Sequence, residues 1–218
     1  METESKICIS IGNIPFDTIS GILNKVEMAE IRLDLADLNE NEIRAVFPGH
    51  DNLIATCREG RYDDMERARL LEIAIECGAA WIDIEADAKP GWRESMIKLV
   101  KSSDSNLILS RHFYTHTPSL DELKKVADEM FEMDADLVKI AAQVNHTSEA
   151  ASLLGLYSYY NSDIVSIGMG PIGVITRLAA PFLGAPFTFA SAGDDQITAG
   201  GQIEYNEMTG LIEKILSL

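Results

Sequence analysis

The chain has 218 residues, 46% of them hydrophobic and 24% charged, a composition that folds into a globular protein with a sizeable core. Its 35 acidic side chains against 18 basic ones give a formal net charge of -17, which argues against nucleic acid and anionic membranes as partners. The N-terminus METESKICIS has no basic-plus-apolar leader pattern, and no uncharged apolar run is long enough to span a bilayer. Cys8, Cys57 and Cys77 are odd in number and widely spaced, as expected of reduced thiols in a cytoplasmic protein.

Eight short apolar runs recur along the chain, their starts about 22 to 31 residues apart. KICISIG (6–12) is the first. EIRLDL (30–35) follows, with Glu30, Arg32 and Asp34 alternating and hence on one strand face. NLIATCR (52–58) ends on Arg58, with Glu59 next. YDDMERARLLEIAIECG (62–78) has helical period: Met65, Ala68, Leu71 and Ile75 fall near one face, and Gly78 is the stop. WIDIEAD (81–87) carries Asp83 and Glu85, and NLILSRH (106–112) carries Ser110 and His112. The segment PSLDELKKVADEMFEM (118–133) predicts a second clear helix, with Ser119 and Glu122 at capping-box spacing. LVKIAAQV (137–144) holds Lys139 in an otherwise apolar run. DIVSIGMG (163–170) leads into a helix carrying Arg177, and PFTFASA (186–192) leads into the loop SAGDDQITAGGQI.

Runs this uniformly apolar suit parallel strands covered on both faces. Eight strand–helix units without a composition break predict a (β/α)8 TIM barrel, one catalytic domain over residues 1–218; a doubly wound open sheet is the alternative. In such a barrel the polar strand ends converge on one mouth. Arg32, Arg58, Lys139 and Arg177 would meet there, a cationic cleft in an acidic protein and a place for a small anionic substrate.

Blander readings apply to several of these residues. Any one of Glu30, Arg32, Asp83 or Glu85 could serve a structural ion pair. His112 and His116 share an H-x-x-x-H spacing, but Pro118 follows and no acidic or cysteine ligand accompanies them, so no metal is expected. Gly168, Gly170 and Gly173 match a dinucleotide-binding pattern, yet only one strand–helix unit remains downstream, too few for that fold. Lys139 is harder to explain away, because an ammonium is seldom buried. Desolvation and neighbouring cations both disfavour the charged form, and a neutral amine can attack a ketone to form a Schiff base. His112 on the adjacent strand is placed to take the proton that the imine makes acidic.

At this point the chain resembles the type I 3-dehydroquinate dehydratases, Schiff-base enzymes of the shikimate pathway. AEIRLDL, TCREG, SRHFYTHTPS, ADLVKIA, SIGMGPIGVITRL and TAGGQI resemble that family's motifs, in order and over nearly the whole chain. The resemblance implies that Lys139 forms the imine, His112 is the general acid and base, and Glu59 orients His112. It implies that Arg177 holds the substrate carboxylate, that Thr198 and Gln202 close over it, and that Glu30, Arg32 and Arg58 bind ring hydroxyls. It implies no cofactor and a homodimer. Phe113 stands where the family often has Asp, and the loop after Arg58 is short, which leaves Glu85 as a second candidate partner for His112. A class I aldolase or a non-catalytic barrel are the rival readings.

Overall fold

The computed structural model describes residues 6–160, 163–193 and 196–218. The N-terminal segment 1–5 and part of the loop after the last strand, 194–195, lie outside the described residues. Eight parallel strands alternate with eight helices: β1 (Lys6–Ile11), α1 (Phe16–Leu23), β2 (Met28–Arg32), α2 (Glu40–Val46), β3 (Leu53–Thr56), α3 (Asp64–Glu76), β4 (Trp81–Glu85), α4 (Pro90–Lys101), β5 (Asn106–Phe113), α5 (Leu120–Glu132), β6 (Leu137–Gln143), α6 (Thr147–Gly155), β7 (Ile164–Met169), α7 (Val174–Ala179), β8 (Phe187–Ser191) and α8 (Tyr205–Leu216). Strand order is β7-β6-β5-β4-β3-β2-β1-β8, so the sheet curls into the expected barrel, with β7 and β8 meeting at its last seam. No described helix is long and apolar enough to cross a membrane.

Burial on both strand faces explains why the runs are apolar throughout. One face packs against the helices through Ile9, Ile31, Ala55, Ile82, Leu109 and Ile140. The other fills the barrel interior, where Met28, Ile54, Ile108, Leu137 and Val165 cluster. Moving two residues toward the C-terminal end of a strand keeps the same face. On that face Met28 gives way to Glu30, Ile54 to Thr56, Ile108 to Ser110 and Leu137 to Lys139, all buried. The interior is thus oily at one end and polar at the other, which fixes where chemistry can occur.

The expected strand EIRLDL ends early, at Arg32, so Asp34 lies in the turn beyond rather than on the strand. The Ser119–Glu122 capping box forms: Ser119 N–H donates to Glu122 at 2.9 Å, and Glu122 N–H to Ser119 Oγ at 3.4 Å. Gly78 ends α3 at φ +87, donating to the Ile75 carbonyl while Ala79 reaches back to Ala74.

The buried face of α3 differs from the expected one. Met65 is 79% exposed, while Arg67, Leu70, Leu71 and Ala74 point inward. Arg67 takes a core position because every part of it is matched. Its Nε donates to the Cys57 carbonyl at 3.1 Å, its Nη2 to Glu85 at 3.4 Å, and its guanidinium stacks 4.3 Å from the Trp92 ring centroid. Arg67→Ala should therefore cost about 2–4 kcal/mol, through a lost stack and an unpaired buried carbonyl. Urea unfolding checks this; a shift below about 1 kcal/mol would mean the clamp is dispensable.

Candidate active site

Lys139 sits on β6 beside Ser110 of β5, and its amine is the centre of a buried polar network. Nζ donates to Asp83 Oδ2 at 2.8 Å and to Glu30 Oε1 at 3.2 Å, and lies 4.3 Å from the Phe189 ring centroid. Carboxylates, not the expected cations, are thus in direct contact with the amine. Both are pinned from other sides. Ser10 and Thr56 donate to Glu30 at 2.6 and 2.9 Å. Ser110 donates to Asp83 at 2.6 Å, and Arg58 pairs with Asp83 at 2.8 Å. Burial opposes ionisation of Glu30, but Lys139 and Arg32 overcome it and hold its pKa at about 2. Asp83 is held well below the usual carboxylate range: burial again opposes, and Arg58 and Lys139 win. Asp83 was among the polar strand residues but not among the candidate site residues; its place becomes visible only once cross-strand register is known.

His112, further along β5, lines the same cavity as Lys139. Burial, reinforced by Arg58 and Lys139, pushes its pKa down to about 3, so the imidazole is neutral at physiological pH. Its Nδ1 has no hydrogen-bond partner among the described residues. Tyr114, two residues on, stacks nearly parallel to it, with centroids 5.8 Å apart. Glu59, expected to orient His112, makes no hydrogen bond to it among the described residues. The short loop after β3 turns at Gly60, φ +135, and leaves Glu59 exposed to solvent. The other candidate, Glu85, is engaged by Arg67.

Arg32 is locked by Asp34, Nε to Oδ1 at 3.0 Å and Nη2 to Oδ2 at 2.6 Å, and faces the cavity from β2. Arg177, on α7, is wholly buried and differs from every other cation in the mouth. Its Nε and Nη2 have no partner among the described residues, and its Nη1 reaches only the Phe189 carbonyl, at 3.5 Å. Burial alone lowers its pKa to about 10. A buried fork of donors without partners among the described residues fits a carboxylate.

The segment 196–203 folds over this mouth. Thr198 donates to Ser10 at 2.8 Å, linking the loop through Ser10 to Glu30 and so to Lys139. Gln202 accepts from the Thr198 amide at 2.8 Å and donates to the Thr198 hydroxyl at 3.0 Å. Gly201 sits at φ +80 with its backbone against Gly170, where an added Cβ would lie 2.7 Å from the Gly170 oxygen. The remaining cavity is only about 50 Å³, so a ring-sized ligand enters only if this loop shifts. A larger groove, about 650 Å³, opens at the opposite end of the barrel, but its charged residues Asp51, Glu76 and Asp104 are all solvent-exposed. Among the described residues no cluster of His, Cys, Asp or Glu is arranged to hold a metal, and His116 is exposed on the loop after β5.

Fold and site define a (β/α)8-barrel protein with a lysine, a neutral histidine and a largely unpaired arginine facing one cavity. The family model described as Type I 3-dehydroquinase matches residues 15–216, and the chain belongs to that family of hydro-lyases. It is 31% identical over 219 residues to the 3-dehydroquinate dehydratase of Dehalococcoides mccartyi, covering 96% of this chain and 95% of the relative. Among solved structures it resembles the 3-dehydroquinate dehydratase of Aquifex aeolicus, with a TM-score of 0.82 and 25% identity over 98% of this chain and 100% of that one. The type I enzyme of Clostridium difficile, solved with covalently modified comenic acid, shares the fold at a TM-score of 0.84, with 22% identity over 98% and 93% of the two chains. Family membership decides between the dehydratase reading and the aldolase and binding-module alternatives.

Proposed function

We propose that residues 1–218 form one catalytic domain that removes water from 3-dehydroquinate to give 3-dehydroshikimate, through an imine on Lys139. The observation that carries this is the pairing of an unpartnered, buried Arg177 fork with the Lys139 amine in one cavity. A carboxylate and a ketone on one small ring satisfy both. The relatives' shared name supports the same substrate.

In this reading the Lys139 nitrogen adds to the ketone carbon and water leaves, giving a protonated imine. That cation takes the place of the ammonium between Glu30 and Asp83, two carboxylates already ionised and already fixed by Ser10, Thr56, Ser110 and Arg58. Preorganised negative charge stabilises the iminium cation as it forms; that positive charge is then neutralised by the electron pair of the next step. His112 takes the C2 proton, and the electron pair flows into the imine. His112 then returns the proton to the C1 hydroxyl as it departs, and water releases the enone from Lys139. Arg177 holds the carboxylate; Arg32 and Arg58, with Glu30, face the ring hydroxyls; Thr198 and Gln202 close over them. Glu59, exposed in this arrangement, would reach His112 only if the loop after β3 moved inward. The reading extends to a cytoplasmic homodimer, supported by three unpaired cysteines for the first and by the family resemblance for the second.

Incubation with 3-dehydroquinate should produce the ultraviolet absorbance of a conjugated enone; a folded protein that yields none sinks the reading. The pH profile tests the base. Because the His112 pKa lies near 3 rather than 6.5, the neutral imidazole persists through mildly acidic pH. The value of kcat/KM should therefore stay flat from about pH 8 to about pH 5, where an ordinary histidine base would have lost most of its activity. A drop centred near pH 6.5 would show that the base titrates as an ordinary histidine and that this site does not hold His112 neutral. The unfolded chain binds a proton to this histidine that the folded one refuses, so the same group makes stability fall as pH drops from about 6.5 towards 3.

A further inference from the structure

Seven seams of the barrel are hydrogen-bonded between neighbouring strands, and the one between β7 and β8 is not. Side chains from the neighbouring helical segments satisfy β7 amides there instead. The Ser166 amide donates to Tyr157 Oη at 2.8 Å, and the Gly168 amide to Thr176 Oγ1 at 2.7 Å. On the β8 side the Phe189 carbonyl receives a long contact from Arg177. This open seam lets an arginine on α7 reach a cavity inside the barrel.

Among the described residues the Arg177 guanidinium has only the long Phe189 contact, so its aim depends on its backbone. Two fully buried threonines fix that backbone from opposite sides. Thr176 Oγ1, besides receiving the Gly168 amide, donates to the Gly173 carbonyl at 2.7 Å and so ties the first turn of α7 to the end of β7. Thr188 on β8 donates to the carbonyl of Arg177 itself at 2.8 Å. The two backbones are pressed together at this point: a Cβ on Gly173 would lie 2.5 Å from the Gly168 carbonyl carbon. A small movement of α7 would travel down the extended arginine and misplace both free nitrogens.

We propose that Thr176 and Thr188 are positioning residues that set the reach of Arg177 across the open β7–β8 seam, and so govern carboxylate binding rather than chemistry at Lys139. This rests on the reading of Arg177 as the anchor of the substrate carboxylate. Valine has the shape of threonine without its hydroxyl, so Thr176→Val removes the tie with little change in packing. Its KM for 3-dehydroquinate should rise about tenfold while kcat stays within about threefold. Thr176→Ser keeps the hydroxyl and should restore KM to within about twofold, which a purely packing role would not do. Thr188→Val should raise KM about threefold or more. Borohydride trapping on Lys139 at saturating substrate should remain complete in all three.

A KM unchanged in Thr176→Val, or a loss confined to kcat, overturns the proposal. If Thr176→Val does not fold, Thr188→Val decides: an unchanged KM there overturns it equally. Wild-type protein that fails to turn over 3-dehydroquinate overturns the substrate reading and this proposal together. An active wild type with an indifferent Thr176→Val overturns the proposal alone.

Discussion

Lys139→Ala should form no covalent adduct when the protein is treated with 3-dehydroquinate and sodium borohydride, whereas the wild type should gain one reduced substrate per chain, mapped to Lys139. Turnover should fall by at least about 10³-fold, because no other amine lies in contact with Glu30 and Asp83 to supply the electron sink. The substitution also has a structural cost of a specific kind. It leaves two buried carboxylates without the ammonium they share; Asp83 keeps Arg58 and Ser110, and Glu30 keeps only its hydroxyl donors at hydrogen-bond distance. Removing one partner from a buried ion pair typically costs about 3–5 kcal/mol. That cost should depend on pH. In the wild type the Glu30 pKa is depressed to about 2, so its stabilisation is full above its ordinary value of 4.5 and is lost as pH falls towards 2. Without Lys139 the carboxyl can protonate earlier and escape the penalty. The stability gap between variant and wild type should therefore be widest near pH 7 and narrow below about pH 4.5. Intact-mass analysis and urea unfolding at two pH values check both halves. An adduct that persists in Lys139→Ala, or a wild type that forms none, removes the Schiff base from the mechanism.

The amine was conspicuous in the sequence for the same reason that makes it costly to delete: a lysine inside an apolar strand has no cheap explanation. The barrel was legible in the spacing of its strand runs, since parallel strands buried on both faces must be apolar throughout and helices must separate them. Local periodicity misled at α3, where counting apolar residues placed Met65 inside. An arginine becomes a core residue only through partners remote in sequence, here Cys57, Glu85 and Trp92. Asp83 was hidden for a related reason. Its alternation along β4 puts it in the barrel, but its contact with Lys139 follows from the register of β5 between them. Motif order says which loop Glu59 occupies, not where a turn at Gly60 sends its side chain, which is exposed here. The roles of Thr176 and Thr188 follow from an unpaired seam, a property of how the sheet closes that no local pattern records.

Arg177→Met should move stability and activity in opposite directions. The fold carries a buried guanidinium with two nitrogens that lack partners among the described residues, and burial lowers its pKa from 12.5 to about 10. A drop of that size corresponds to a folded-state penalty of order 3 kcal/mol. The group is charged in both folded and unfolded chains below pH 10, so the penalty is constant across neutral pH and is relieved only as pH rises through about 10. Methionine fills much of the stem's volume and removes the charge. The variant's Tm should rise by roughly 5 °C, by the same increment at pH 6 and pH 8. Binding should pay the other way. Losing a bidentate, charge-assisted contact with the carboxylate should raise KM about 10²-fold or more, with a smaller effect on kcat. Ligand should then raise the Tm of the wild type well above that of the variant, since stabilisation by mass action needs affinity. Differential scanning calorimetry with and without substrate reads all of this in one pair of proteins. An Arg177→Met variant that is less stable than the wild type would mean that the guanidinium is structurally paired, and an unchanged KM would mean that the carboxylate is held elsewhere. The opposed signs identify the residue as a binding group, because a buried cation that costs the fold stability is kept for the ligand it holds.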